Sequence, residues 1–167
     1  MKKFLLISIF LINLVGFSQK EYYEIRQYEL PFNSPENILH EYFSKVLIPA
    51  LNRHGVKNIG VFETLGDPIP KLVYLFIPYD DVYHYGNILK ELSRDKVYLN
   101  SRKFYDSVPQ SNKVYNRYNV SFLTAIDGLP KLIKPKRKSN IFELRIYEGY
   151  SEDAVKRKIE MFNKEEL

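Results

Sequence analysis

Residues 22–30, YYEIRQYEL, alternate between two sides of the chain: Tyr23 and Ile25 fall on one, and Glu24, Arg26 and Tyr28 on the other. A period of two among aromatic and β-branched residues predicts a strand. The alternation returns at 141–149, IFELRIYEG, where Phe142, Leu144 and Ile146 oppose Glu143, Arg145 and Tyr147. The two stretches correspond without a gap at a constant offset of 119 residues, which predicts two copies of one structural unit. The apolar side is expected to pack on helices. The other side is then left for a second sheet, so that Glu24, Arg26 and Tyr28 would line a partly enclosed space between the two. The plainer alternative is a surface ion pair beside a tyrosine.

The pattern continues through the first unit. Pro31 ends the strand. Ser34, Pro35 and Glu36 read as cap, first helical position and acidic first turn. Ile38, Leu39, Tyr42, Phe43, Val46 and Leu47 follow at helical spacing. Pro49 is expected to kink or shorten that helix and Gly55 to stop it. A second strand is expected over 56–64 and a third over 71–78, joined by the turn LGDPIPK. The third is apolar on both sides and should be central in its sheet. Asp80 or Asp81 caps a helix bearing Val82, Tyr85, Ile88, Leu89 and Leu92. Ser93 is expected to cap a further helical run with Val97, Tyr98, Phe104 and Tyr105. A fourth strand over 115–124 mixes polar and apolar residues and should be more exposed. The order is strand, helix, strand, strand, helix, strand. It predicts an α+β fold of the ferredoxin-like split βαβ type, an antiparallel sheet with helices on one face. About 100 residues suffice for one core. The other sheet face would be bare, and a bare face rich in tyrosine calls for a partner.

Residues 125–139 read as a linker, with Gly128, Pro130, Pro135 and the basic run KPKRK at 134–138. A polyanion site is the second reading of that run, a solvated loop the first. From residue 140 the strand repeats, and Ser151 caps a helix with Ala154, Val155, Ile159 and Phe162. One strand and one helix make an incomplete second unit over 140–167.

The chain opens with Lys2 and Lys3, an apolar run from Phe4 to Phe17, and small residues Gly16 and Ser18 ahead of Gln19. This predicts a cleaved signal peptide over 1–18 and an exported protein, periplasmic or extracellular, with no stable membrane span after cleavage. Cysteine is absent, which excludes disulfides, thiolate chemistry and a lipid thioether. Cleavage leaves 23 of the 25 basic residues against 20 acidic ones, a net charge of +3 rather than +5. With an exported address, that charge speaks against a nucleic-acid partner.

Candidate chemistry is sparse. His40, His54 and His84 are scattered, with no HxxxH or HExxH spacing, so no metal is expected. No GxSxG, P-loop or GxGxxG occurs, and no cofactor is expected. His84, in DDVYHYGN, could ligate haem or act as a base; the bland reading is a satisfied or exposed histidine. The 14 tyrosines and 11 phenylalanines are chiefly core and interface material. The candidate ligand-binding residues are Glu24, Arg26, Tyr28, Tyr74 and His84. No residue is assigned a catalytic role.

The strand start [YF]-E-[IL]-R-x-Y, the segment IPALNRHGVKNIGVFETLGD and the strand LVYLFIPYDD together resemble the NIPSNAP family, over residues 22–124 and again from 140. The family often carries tryptophan where Tyr98 stands. The resemblance implies the dimeric α/β-barrel version of the ferredoxin-like fold, with self-association as a homodimer, or pairing between repeats, through the sheet. It implies no defined activity. The first reading is an exported barrel protein that pairs through its sheet and holds a small apolar or anionic ligand. One alternative is a cofactor-free monooxygenase or isomerase, with Arg26 holding an anionic substrate and Tyr28 or Tyr74 donating a proton. The other is a haem or stress-response binding module.

Overall fold

The computed structural model describes residues 19–135 and 141–164. The expected signal peptide and residues 136–138 of the basic run lie outside them.

Four strands form one antiparallel sheet in the order β2-β3-β1-β4: β1 (Tyr22–Glu29), β2 (Gly60–Glu63), β3 (Leu72–Tyr79) and β4 (Arg117–Thr124). The ferredoxin-like α+β fold is the one the pattern predicts. β3 is central, and it is the strand that is apolar on both sides. β4 is an edge strand, exposed along its length. Helix α1 (Glu36–Glu41) runs through a π-helical segment, Tyr42–Leu47, into α2 (Ile48–Arg53). After β3 come α3 (Val82–Arg94), α4 (Lys96–Ser101) and α5 (Lys103–Asp106). The core lies between this helical layer and one face of the sheet. Leu39, Phe43, Leu47, Leu51, Val73, Leu75 and Ile77 are fully buried there.

Several local expectations are corrected. Pro49 does not shorten the first helix; it is met by a local change in the helix's hydrogen-bond spacing. It lacks the N–H that would bond the carbonyl of Lys45, and its ring would crowd that carbonyl in a regular turn. The π segment just before it widens the hydrogen-bond spacing, and the helix continues. Ser34 is not a cap; its hydroxyl donates to the Val114 carbonyl at 2.9 Å. Asp95 rather than Ser93 caps α4, accepting from the Tyr98 N–H at 3.0 Å. Strand β2 is shorter than expected because Asn58 takes a left-handed φ of 58° and Val56 turns into the core. Gly55 ends α2 with φ 93°, and the Val56 N–H returns to the Leu51 carbonyl at 3.0 Å. Asp81 caps α3 by accepting from the His84 N–H at 2.6 Å.

The main correction concerns the sheet's two sides. Glu24, Arg26 and Tyr28 point at the chain's own helices, in register with Ile77, Leu75 and Val73. Tyr23, Ile25 and Gln27 point to the open side with Pro78, Phe76 and Tyr74, where Tyr23 stacks on Phe76 at 5.0 Å. The polar trio can be covered because it satisfies itself: the acid and the base neutralise each other, and tyrosine is mostly ring.

The repeated stretch 141–149 forms no strand. Helix α6 (Glu152–Lys164) follows it, its Ala154 N–H capped by the Ser151 hydroxyl at 3.2 Å. Among the described residues no helix is long and apolar enough to cross a membrane.

Candidate functional site

Strand alternation puts Glu24, Arg26 and Tyr28 on one side of β1, and the helical layer encloses them. Glu24 is only 3% exposed. Its carboxylate accepts from Arg26 Nε at 2.6 Å and Nη2 at 3.2 Å, and from the Tyr79 hydroxyl at 2.8 Å. A buried carboxylate needs partners of this kind. Burial works against the Arg26 charge, but the hydrogen bond and Coulombic attraction of Glu24 outweigh it and raise the guanidinium pKa further.

Beside this pair lies a cavity of about 490 Å³ between the sheet and helices α3 and α4. Its sheet wall holds Arg26, Tyr28 and Tyr118, and its helical wall holds Tyr42, Tyr98, Tyr105 and Arg102. Tyr115 and a group of leucines complete it. The tyrosines are locked together: Tyr42 stacks on Tyr105 at 4.1 Å and 10°, and the Tyr42 and Tyr98 hydroxyls are 2.9 Å apart. Tyr28 sits edge-on to Phe43 at 5.3 Å and against Tyr118 at 5.0 Å. Burial pushes the Tyr28, Tyr42 and Tyr105 phenols well above their ordinary range and raises Tyr118, so each remains a protonated donor. Arg102 forks onto Asp106 with two bonds of 2.8 Å. Each arginine in the cavity wall is thus already matched by a carboxylate. What the cavity offers a guest is ring faces and phenolic O–H groups.

Of the residues singled out in the sequence, Glu24, Arg26 and Tyr28 come together. Tyr74 does not join them. It lies on the opposite face of the sheet, opposite Gln27 on one side and Phe62 on the other. His84 lines a separate, polar cavity of about 300 Å³ with Gly55, Lys57 and Tyr79. Its Nδ1 accepts from the Asp80 N–H at 3.2 Å, which leaves Nε2 facing the Gly55 side. The sequence reading missed Tyr42, Tyr98, Tyr105 and Arg102, because aromatic residues at helical spacing read as core. It also missed the meeting of Glu36, His40 and Glu63, whose ligating atoms lie within 4.8 Å of one another. Two glutamates and a histidine could hold a cation. Here the Lys71 ammonium lies 2.6 Å from Glu36 and 3.0 Å from Glu63, and supplies the positive charge.

No protein-family model and no curated protein matches the chain. Solved structures do. An uncharacterized NIPSNAP-like domain protein from Burkholderia xenovorans is 18% identical, with 69% of this chain and 93% of that one covered at a TM-score of 0.51. An uncharacterized NIPSNAP domain protein from the same organism is 15% identical, covering 66% and 99% at a TM-score of 0.50. A NIPSNAP family protein with unknown function from Agrobacterium tumefaciens is 14% identical, covering 64% and 89% at 0.46. The sheet order and the likeness to the two Burkholderia xenovorans structures give the chain the ferredoxin-like fold of the NIPSNAP-domain proteins.

Proposed function

We propose that this is an exported, self-associating NIPSNAP-like protein that binds a small, neutral aromatic ligand in the cavity between its sheet and helices. The observation that carries this is the cavity itself: about 490 Å³, walled by six tyrosines. The size falls in the range of small-molecule sites. The rings supply stacking surface, and the protonated phenols supply donors that fix orientation. Because Glu24 and Asp106 already neutralise the two arginines, a ligand carboxylate gains little there. That narrows the choice between apolar and anionic ligands to the neutral one. Export is supported by Lys2, Lys3 and the apolar run that follows.

The oxygenase or isomerase reading loses support. It needs Arg26 free for an anion, and Arg26 is held by Glu24. Its second proton donor, Tyr74, is across the sheet.

The test is calorimetric titration with 1-naphthol and with 1-naphthoate. Saturable binding of naphthol, weakened in Tyr118→Ala and not improved by the carboxylate, is expected. No saturable binding of either probe would overturn the reading. Naphthoate bound more tightly by tenfold or more would turn the cavity into an anion site.

A further inference from the structure

Two phenols in the cavity wall share one hydrogen bond and have one hydrogen left over. The Tyr42 and Tyr98 hydroxyls are 2.9 Å apart, and both residues are buried, at 5% and 6% exposure. Each hydroxyl carries a single hydrogen, so their contact uses one of the two. Arg102 decides which. Its Nε and Nη2 are fixed on Asp106, each at 2.8 Å, and its Nη1 donates to the Tyr98 oxygen at 3.2 Å. A guanidinium only donates, so Tyr98 is the acceptor there. A hydroxyl that accepts from a cation becomes the stronger donor in its next contact. Tyr98 therefore donates to Tyr42, and the Tyr42 hydrogen is the one left over. Stacking on Tyr105 at 4.1 Å holds the Tyr42 ring, and with it the place of the hydroxyl oxygen. Among the described residues, the hydrogen bonds of that hydroxyl end at Tyr98. A buried hydroxyl hydrogen without an acceptor costs free energy, and both phenols line the cavity.

The rest of the lining says what kind of acceptor is missing. No carboxylate, amide or imidazole side chain lines the cavity. The Ser93 hydroxyl at its wall already donates to the Lys90 carbonyl at 2.7 Å. The wall is thus rich in donors and poor in acceptors. A ligand hydroxyl would bring one more hydrogen in need of an acceptor. An arene without oxygen would leave the Tyr42 hydrogen unmet. A carbonyl oxygen accepts and brings no hydrogen. We propose that the ligand is an aromatic carbonyl compound, an aryl ketone or aldehyde, whose oxygen accepts from the Tyr42 hydroxyl at the end of the chain Arg102–Tyr98–Tyr42. Tyr42 touches the ligand. Tyr98 and Arg102 are positioning residues that act through it. The inference rests on the reading of the cavity as a ligand site and names the group that this site selects.

The test titrates the full chain with 1-acetonaphthone and with 1-ethylnaphthalene, which are alike in shape and differ in the carbonyl. The ketone should bind about tenfold more tightly. In Tyr42→Phe that preference should fall to about twofold or less. Isotope-edited infrared difference spectra of the bound ketone give a second readout. The carbonyl band should lie at lower frequency in the unmodified protein than in Tyr42→Phe, and Tyr98→Phe should move it part of the way. A purely structural role for Tyr42 would not shift that band. Circular dichroism checks that the variants are folded, and the comparison of the two probes on the unmodified chain needs no variant. Equal affinity for ketone and hydrocarbon, or a carbonyl band that Tyr42→Phe leaves in place, overturns the proposal and leaves the aromatic cavity standing. No saturable binding of either probe or of 1-naphthol overturns it together with the reading on which it rests.

Discussion

Tyr79 donates its phenolic hydrogen to Glu24 across 2.8 Å, at a place where neither residue is more than 3% exposed. The bond joins the central strand β3 to β1 through side chains as well as through the ladder. Tyr79→Phe keeps the ring and removes only this donor. It should destabilise the protein by about 1.5–3 kcal/mol, the usual cost of losing a hydrogen bond to a charged group. Urea unfolding followed by circular dichroism measures it. A change below about 0.5 kcal/mol would show that Arg26 alone satisfies Glu24.

Arg26→Met should cost more, about 3–5 kcal/mol, because it leaves a buried carboxylate without its counter-charge. Adding Glu24→Gln should recover a large part of that loss. The double-mutant cycle is the measurement. Additive effects would mean that the two side chains do not act as a pair.

The fold was largely legible in the sequence, and the site only half. Alternation located β1, and the doubly apolar run placed β3 at the centre. Alternation cannot say which face is covered, because that depends on strands far away in sequence. Val73, Leu75 and Ile77 of β3 decide it by carrying Glu24, Arg26 and Tyr28 inward with them. The signal that could have told was the Glu-x-Arg spacing, present in both copies, which lets the inward face neutralise itself. Tyr74 was misplaced by the same error, since parity along β3 sends it to the open side. The helical tyrosines Tyr42, Tyr98 and Tyr105 gave no signal of their own; only packing shows that they wall a cavity.

Alkali should destabilise the fold through the cavity. Burial raises the Tyr28, Tyr42 and Tyr105 phenols, so the folded state favours their neutral form. Their contribution is intact below the ordinary tyrosine value of about 10 and is lost as the pH climbs through the raised values. Tyr23, on the open side, is pushed up to about 12 by burial and by the Glu21 carboxylate. A spectrophotometric titration should therefore show two groups of tyrosines, the later one ionising together with loss of the circular dichroism signal. A single transition near 10 would contradict it.

Acid should act at a different place. The Tyr98 N–H and the Arg53 guanidinium hold the Asp95 carboxyl well below the usual carboxylate range. A depressed carboxyl contributes stability above its unfolded value of about 4 and loses it as the pH falls further. Asp95→Asn should flatten the acid limb of the stability curve, read as the denaturation midpoint against pH. An unchanged acid limb would remove Asp95 from the account.

Gly55→Ala should cost about 1–2 kcal/mol through the backbone, because φ is 93° there. A Cβ would meet nothing nearer than His84 Nε2 at 3.9 Å, so no steric clash adds to it. Thermal unfolding compares this variant with Gly86→Ala, a helical glycine whose replacement should be neutral or stabilising.

The π segment at Tyr42–Leu47 gives the first helix one turn that carries slack in its length. Its wider spacing takes up one residue more than a regular turn holds, so the parts on either side keep their aim: Phe43 on Tyr28, Ala50 and Leu51 in the interior. Deleting one residue inside the segment should close it to regular turns and leave both halves facing the sheet. The same deletion made beyond it, within α2, would swing the remainder of the rod by roughly 100°.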